Sequence, residues 1–177
     1  LYEYLNTGDD DYSTVYGANW KGQTFTPATA HTVASTSSKL IKVTGTPAGN
    51  FVANIRATTA GLPSGANLAT SSMVANNIST TATWYGFVLD AGVLLTAGTQ
   101  YAIVWSVPSG DVSNYIGIRM VYQNASDQYT GGKAVTSADS GATWSQAYND
   151  YSDFMFEEWG DPVSAAAEPQ MSGIIIE

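Results

Sequence analysis

Apolar side chains in this chain recur at every second position and seldom at helical spacing. In FVANIRA (51–57), Phe51, Ala53, Ile55 and Ala57 share one face of an extended segment, opposite Asn54 and Arg56. WYGFVLD (84–90) groups Tyr85, Phe87 and Leu89, and NYIGIRMVYQ (114–123) groups Ile116, Ile118, Met120 and Tyr122, with Arg119 on the other side. DFMFEEW (153–159) turns Phe154 and Phe156 inward. YAIVWSV (101–107) is apolar on both faces, as a central strand covered on both sides must be.

The segments QTFTP, SKLIKVT, GKAVTS and ATWSQ add shorter β-prone runs, and clusters such as TAGT (96–99) and GLPSG (61–65) supply turns between them. Roughly ten short strands at this spacing predict an all-β chain, a jelly-roll-like antiparallel β-sandwich with a C-terminal extension. No internal repeat supports a propeller. The expected division is a sandwich over residues 1–160 and a C-terminal segment over 161–177.

That segment begins as a Pro- and Ala-containing linker, DPVSAAAEPQ, and ends in MSGIIIE. Ile174, Ile175 and Ile176 have no core of their own there. A short β-branched run after a linker suits strand addition to a neighbouring sheet edge, where main-chain hydrogen bonds give affinity and the isoleucines bury. Folding back on its own sheet and remaining an unpaired terminus are the other two fates open to it.

Composition narrows the surroundings. Of 177 residues, 44% are hydrophobic but only 12% charged, about half the usual share, so the exterior must be largely Ser, Thr, Asn, Gln and Gly. Such neutral surfaces suit secreted and virion-surface proteins, and an extracellular or virion-surface location is expected. Fifteen acidic residues against six basic ones give a net charge of −9, which leaves no footprint for nucleic acid or for anionic membranes. No apolar stretch approaches the roughly 20 residues of a membrane span, so no membrane insertion is expected. The absence of cysteine excludes disulfides and thiolate metal sites. A start at Leu1 suits either a removed leader or a piece of a longer chain.

The stretch TSADSGATW (136–144) fits the Asp-box pattern Ser-x-Asp-x-Gly-x-x-Trp through Ser137, Asp139, Gly141 and Trp144. It resembles the hairpin motif of sialidases, which in those enzymes lies away from the active site. Sialidase chemistry needs several arginines to grip a carboxylate, and this chain has only Arg56 and Arg119. Asp139 and Ser137 are suited to bonding turn amides, Gly141 to positive φ, and Trp144 to packing over the loop. A structural hairpin is therefore expected.

Together YGANWKGQTFTP, IRATTAGLPSGANLA, LTAGTQYAIVW, PSGDVSNYI and DFMFEEWG resemble the jelly-roll modules of the choice-of-anchor type, found in secreted and phage-like structural proteins. The resemblance spans about residues 6–160, and its strings are mostly turn and core residues. It implies a non-catalytic sandwich displayed on a surface and carries no catalytic residues.

Candidate chemistry is sparse. His31 is the single histidine, without a nucleophile elbow, and reads as a surface or edge residue. Glu157 and Glu158 are adjacent in one strand and must point to opposite faces, unlike the facing carboxylates of a glycosidase. Asp153 and Glu157 share a face at i and i+4 and read as part of a solvated strand face. No enzyme activity is expected.

Asp9, Asp10 and Asp11 in the acidic loop NTGDDDYS offer hard oxygen ligands, making structural calcium the one cofactor to consider, with Asp111 a weaker position. Eleven tyrosines and five tryptophans supply rings for sugar stacking; Trp84, Tyr115, Tyr129, Tyr148 and Tyr151, in or near expected loops, are the candidates. Asn77 and Asn124 sit in formal glycosylation sequons. The expectation is a structural or surface-display subunit of a virion or extracellular assembly, self-associating or joined to another subunit. A carbohydrate-binding or adhesin module, with a glycan as partner, is the alternative.

Overall fold

The computed structural model describes residues 1–122 and 128–163. The isoleucine run 174–176, most of the linker and the sequon at Asn124 lie outside the described residues. Thirteen strands and one 3-10 turn make up the described fold. In chain order the strands are β1 (Glu3–Leu5), β2 (Asp11–Val15), β3 (Trp20–Phe25), β4 (His31–Thr44), β5 (Asn50–Thr59), β6 (Leu62–Val74) and β7 (Thr83–Leu95). They continue with β8 (Tyr101–Ser106), β9 (Tyr115–Val121), β10 (Ala134–Ser137), β11 (Ser145–Gln146), β12 (Asp153–Phe154) and β13 (Phe156–Pro162).

Two antiparallel sheets form the expected sandwich. One has seven strands in the order β1-β13-β4-β9-β12, with β2 added on β9 and β7 on β4. The other has six, in the order β11-β10-β3-β8-β5-β6. The fourteen-residue β4 organises the larger sheet, pairing with β13, β7 and β9 along its length. β8 lies between β3 and β5, and all six of its residues are buried, which is why its sequence is apolar on both faces.

The alternating residues read from the sequence supply the core: Phe51, Ala53, Ile55, Phe87, Ile116, Ile118, Met120, Phe154 and Phe156 are all buried. Aromatic pairs join the sheets, with Phe51 on Phe87 at 5.5 Å, Trp105 edge-on to Phe154 at 5.5 Å and Phe25 near Phe156 at 6.2 Å. Such pairs contribute about 0.5–1.5 kcal/mol beyond the area they bury.

Two expectations change. GLPSG is not a turn as a whole: Ala60 and Gly61, at φ 52° and 80°, form a two-residue hairpin between Thr59 and its partner Leu62. Pro63 already belongs to β6, an edge strand, where a missing N–H is tolerated. The boundary at residue 160 also falls inside a strand, because β13 continues through Asp161 and Pro162, paired with Thr32 and His31.

Candidate functional site

The hairpin joining β10 to β11 is built from the residues picked out in the sequence. The Ser137 hydroxyl donates to Asp139 Oδ1 at 2.7 Å and accepts from the Gly141 amide at 2.8 Å. Asp139 accepts from the Thr143 amide at 2.9 Å and the Thr143 hydroxyl at 2.6 Å. These bonds, led by those from Thr143, hold the Asp139 carboxyl down to about 2. Gly141 sits at φ 81°, where a Cβ would meet the Trp20 ring at 2.8 Å, and Trp144 Nε1 donates to the Gly141 carbonyl at 3.1 Å. Arg56 lies over the other partner in this corner, Trp20, at 5.6 Å. The side chains of Ser137, Asp139, Thr143 and Trp144 are thus bonded within the turn itself.

The acidic loop is engaged residue by residue. Asp9 pairs with Lys39 Nζ at 2.5 Å and with Arg119 Nε at 2.5 Å. Asp10 accepts from the Tyr122 amide at 2.8 Å, and Asp11 from the Tyr12 amide at 2.7 Å. Asp111 closes its own turn through the Ser113 amide at 2.7 Å and the Asn114 side chain, which keeps its carboxyl below the usual range. Among the described residues, no three His, Cys, Asp or Glu side chains converge as a metal site.

Of the five aromatic candidates, Trp84 and Tyr115 stand at the starts of β7 and β9, next to the loops that lead into them. Tyr129 is buried, its hydroxyl donating to Glu3 at 2.8 Å, and burial pushes that hydroxyl well above its ordinary range. Tyr148 is partly buried and donates to Ser13 at 2.6 Å, and Tyr151 alone of the five is exposed. Asn77 ends the 3-10 turn Ala75–Asn77 and is exposed.

His31 is the main correction. It is not a surface or edge residue but fully buried, with Nε2 2.8 Å from both Glu158 oxygens and Nδ1 2.8 Å from the Thr29 carbonyl. Tyr2 stacks on its ring at 3.7 Å and 5°. Glu158 lies opposite Glu3 on the inner face of the sheet. Asp153 likewise leaves the expected solvated face: it is buried and accepts from Gln23 Nε2 at 2.8 Å. The reason is a break at Met155, which separates β12 from β13 and puts Asp153 and Glu157 in different strands.

Sequence reasoning passed over the outer face of the seven-stranded sheet. Glu157 and Trp159 had to point outward once Phe154 and Phe156 pointed in, as the two-residue period requires. Register places Val88, Ser35 and Trp159 in one row across β7, β4 and β13. The next row is Gly86, Ser37, Glu157 and Tyr4. Trp159 Nε1 donates to Glu157 Oε2 at 3.3 Å, and Asn6 Nδ2 to Oε1 at 3.1 Å. A separate open depression of about 490 Å³ is lined by Thr26, Gln100, Thr130, Gly131, Gly132 and Lys133. No protein-family model matches the chain, and no curated protein matches it significantly.

Proposed function

We propose that the chain is a non-catalytic structural or surface-display subunit of an extracellular or virion-surface assembly. One observation carries this reading: the groups capable of chemistry are committed to holding the fold. His31 and Glu158 are buried against each other, Asp9 joins Lys39 and Arg119, Asp139 ties a hairpin and Asp153 holds Gln23. Catalytic groups have to engage a substrate, and these are bonded to the protein's own groups. The outer face of the seven-stranded sheet exposes Tyr4, Val88, Leu94 and Trp159, apolar side chains available to a partner. The resemblance to choice-of-anchor modules points the same way.

Light scattering of the full chain and of a chain ending at Val163, at matched concentrations, tests the assembly. Ending at Val163 leaves β13 whole. An assembling full chain beside a monomeric shortened one supports joining through residues 164–177. Two monomers remove that joining. A second reading, a carbohydrate-recognition module, is favoured by the exposed aromatic residues Tyr4 and Trp159 on one sheet face.

A further inference from the structure

The outer face of the seven-stranded sheet exposes four large apolar side chains, with Val88 79% accessible, Leu94 59%, Tyr4 50% and Trp159 41%. The floor between them is small and polar. Ser35 and Ser37 are half-buried, and a Cβ on the exposed Gly86 would meet nothing nearer than the Ser37 hydroxyl at 3.9 Å. Neighbouring strands lie about 4.8 Å apart and successive outward rows about 7 Å apart, so the face is broad and shallow. Exposed rings thus flank hydroxyls and a carboxylate on one open face.

We propose that this face binds an extended, uncharged polysaccharide, with Trp159 as the stacking ring and Glu157 as the acceptor for sugar hydroxyls. This site rests on the recognition reading above and adds its residues and ligand class. A pyranose has an apolar C–H face and hydroxyl edges, which matches a ring beside a carboxylate. The Trp159 indole is held by its own N–H on Glu157, so little ordering is required when a sugar covers it. Glu157 accepts one bond on each oxygen and keeps lone pairs for hydroxyl donors.

A protein covering the same face would have to bring matched donors to Glu157 or bury the carboxylate at a cost, whereas the hydroxyls along a sugar chain supply donors at every ring. The charge of the ligand follows from the surroundings. The protein carries −9 overall, and Lys39, two residues along β4 from Ser37, is committed to Asp9. Among the described residues of this face no free cationic side chain is placed to hold an anionic sugar, and the overall field would repel one. The openness of the face suits a chain of sugars lying across strands better than an enclosed monosaccharide.

Affinity electrophoresis of the full chain tests this, in native gels containing xyloglucan, galactomannan or mixed-linkage β-glucan, with polygalacturonate as the charged control. Retardation is expected in at least one neutral gel and not in polygalacturonate. Trp159→Ala and Glu157→Ala should each weaken it about tenfold or more, as loss of an anchor residue does, while Tyr151→Ala should not. Tyr4→Ala supplies an independent variant should Trp159→Ala fold poorly, and should weaken retardation as well. Free migration in every neutral gel, equal retardation by polygalacturonate, or undiminished retardation of the variants would each overturn the proposal. So would a fall in solution mass of Trp159→Ala relative to the parent, which would make the face a contact between copies. Loss of glycan binding and loss of assembly through residues 164–177 are read in separate experiments, so either can fail alone.

Discussion

His31 and Glu158, 127 positions apart in sequence, meet at 2.8 Å with both side chains wholly removed from solvent. Nδ1 of His31 faces the Thr29 carbonyl, which can only accept, so Nδ1 donates. The remaining contact, Nε2 to Glu158, holds one proton, whether it rests on the ring or on the carboxyl. With that proton in place the pair carries no net charge, whether as two neutral groups or as an ion pair. Without it, a bare carboxylate faces a ring lone pair in the interior. Burial accordingly pushes the Glu158 carboxyl up, against the pull of His31, and Glu3 across the strand adds to the rise. The pair fastens β13 to β4 at the end where Tyr2 caps the ring.

A raised carboxyl gives a definite sign to the pH dependence. Its contribution is full below the unfolded glutamate value, about 4.3, and is lost as pH rises through the folded value. The parent should therefore be less stable at pH 8 than at pH 5, by urea midpoint. Glu158→Gln places a permanent N–H donor opposite Nε2 and should flatten that difference. At pH 5 it should cost about 1 kcal/mol or less, the net scale of one hydrogen bond. Equal pH slopes for parent and variant would contradict the proton-sharing arrangement.

The sandwich was legible because its strands obey the two-residue period: Phe51, Phe87, Ile116 and Phe156 each went inward as the pattern required. Hairpin chemistry was equally local, so Ser137, Asp139, Gly141 and Trp144 could be assigned roles from nine residues. His31 could not be placed in this way. Its environment is set by Glu158 and Tyr2, which arrive from other strands, and a single-strand pattern contains neither. Trp159 was a different kind of omission. Its outward direction follows from Phe154 and Phe156, but its company, Val88 and Tyr4, depends on β4, β7, β13 and β1 being neighbours.

Gly160 marks the irregularity at which β13 slips against β4, between Trp159 and Gly160. A Cβ there would run into the Thr32 carbonyl and lie 2.8 Å from His31 Cδ2. Neither can retreat, since one is backbone and the other is a buried ring. Gly160→Ala should cost about 1–3 kcal/mol, the usual scale of overpacking. Gly86→Ala, on the same sheet with open space above it, should stay within about 0.5 kcal/mol of the parent. Urea midpoints for the two variants make the comparison, and equal effects would remove the steric account.

Lys21 points into the sandwich beside Trp105's strand and donates to Asn19 Oδ1 at 2.8 Å and Thr136 Oγ1 at 2.7 Å. It has no carboxylate partner in those bonds, and burial lowers its ammonium to about 8. A lowered lysine leaves the unfolded chain holding more protons between about pH 8 and 10, so stability should rise across that interval. The slope from this group approaches about 1.4 kcal/mol per pH unit at most. Lys21→Met should abolish the rise and, at pH 7, should relieve the cost of a desolvated charge. Thermal unfolding of parent and variant at pH 7 and pH 9.5 reads both effects. A parent whose stability falls over that interval as steeply as that of the variant would rule out the buried charge.

Asp139 is fully exposed, yet three donors converge on its carboxylate, two from Thr143 and one from Ser137. Its carboxyl is held down to about 2, so its contribution is full above the unfolded aspartate value, about 3.9, and is lost only as pH falls through about 2. At pH 3, where a free aspartate is mostly protonated, the hairpin should still be closed. Hydrogen exchange followed by NMR should find the Thr143 amide protected at pH 3 in the parent and unprotected in Asp139→Ala at any pH. The Ile103 amide, in the buried β8, should be equally protected in both, because the turn is a local device and the core does not depend on it. Loss of protection at Ile103 together with Thr143 would instead make this hairpin part of the cooperative fold.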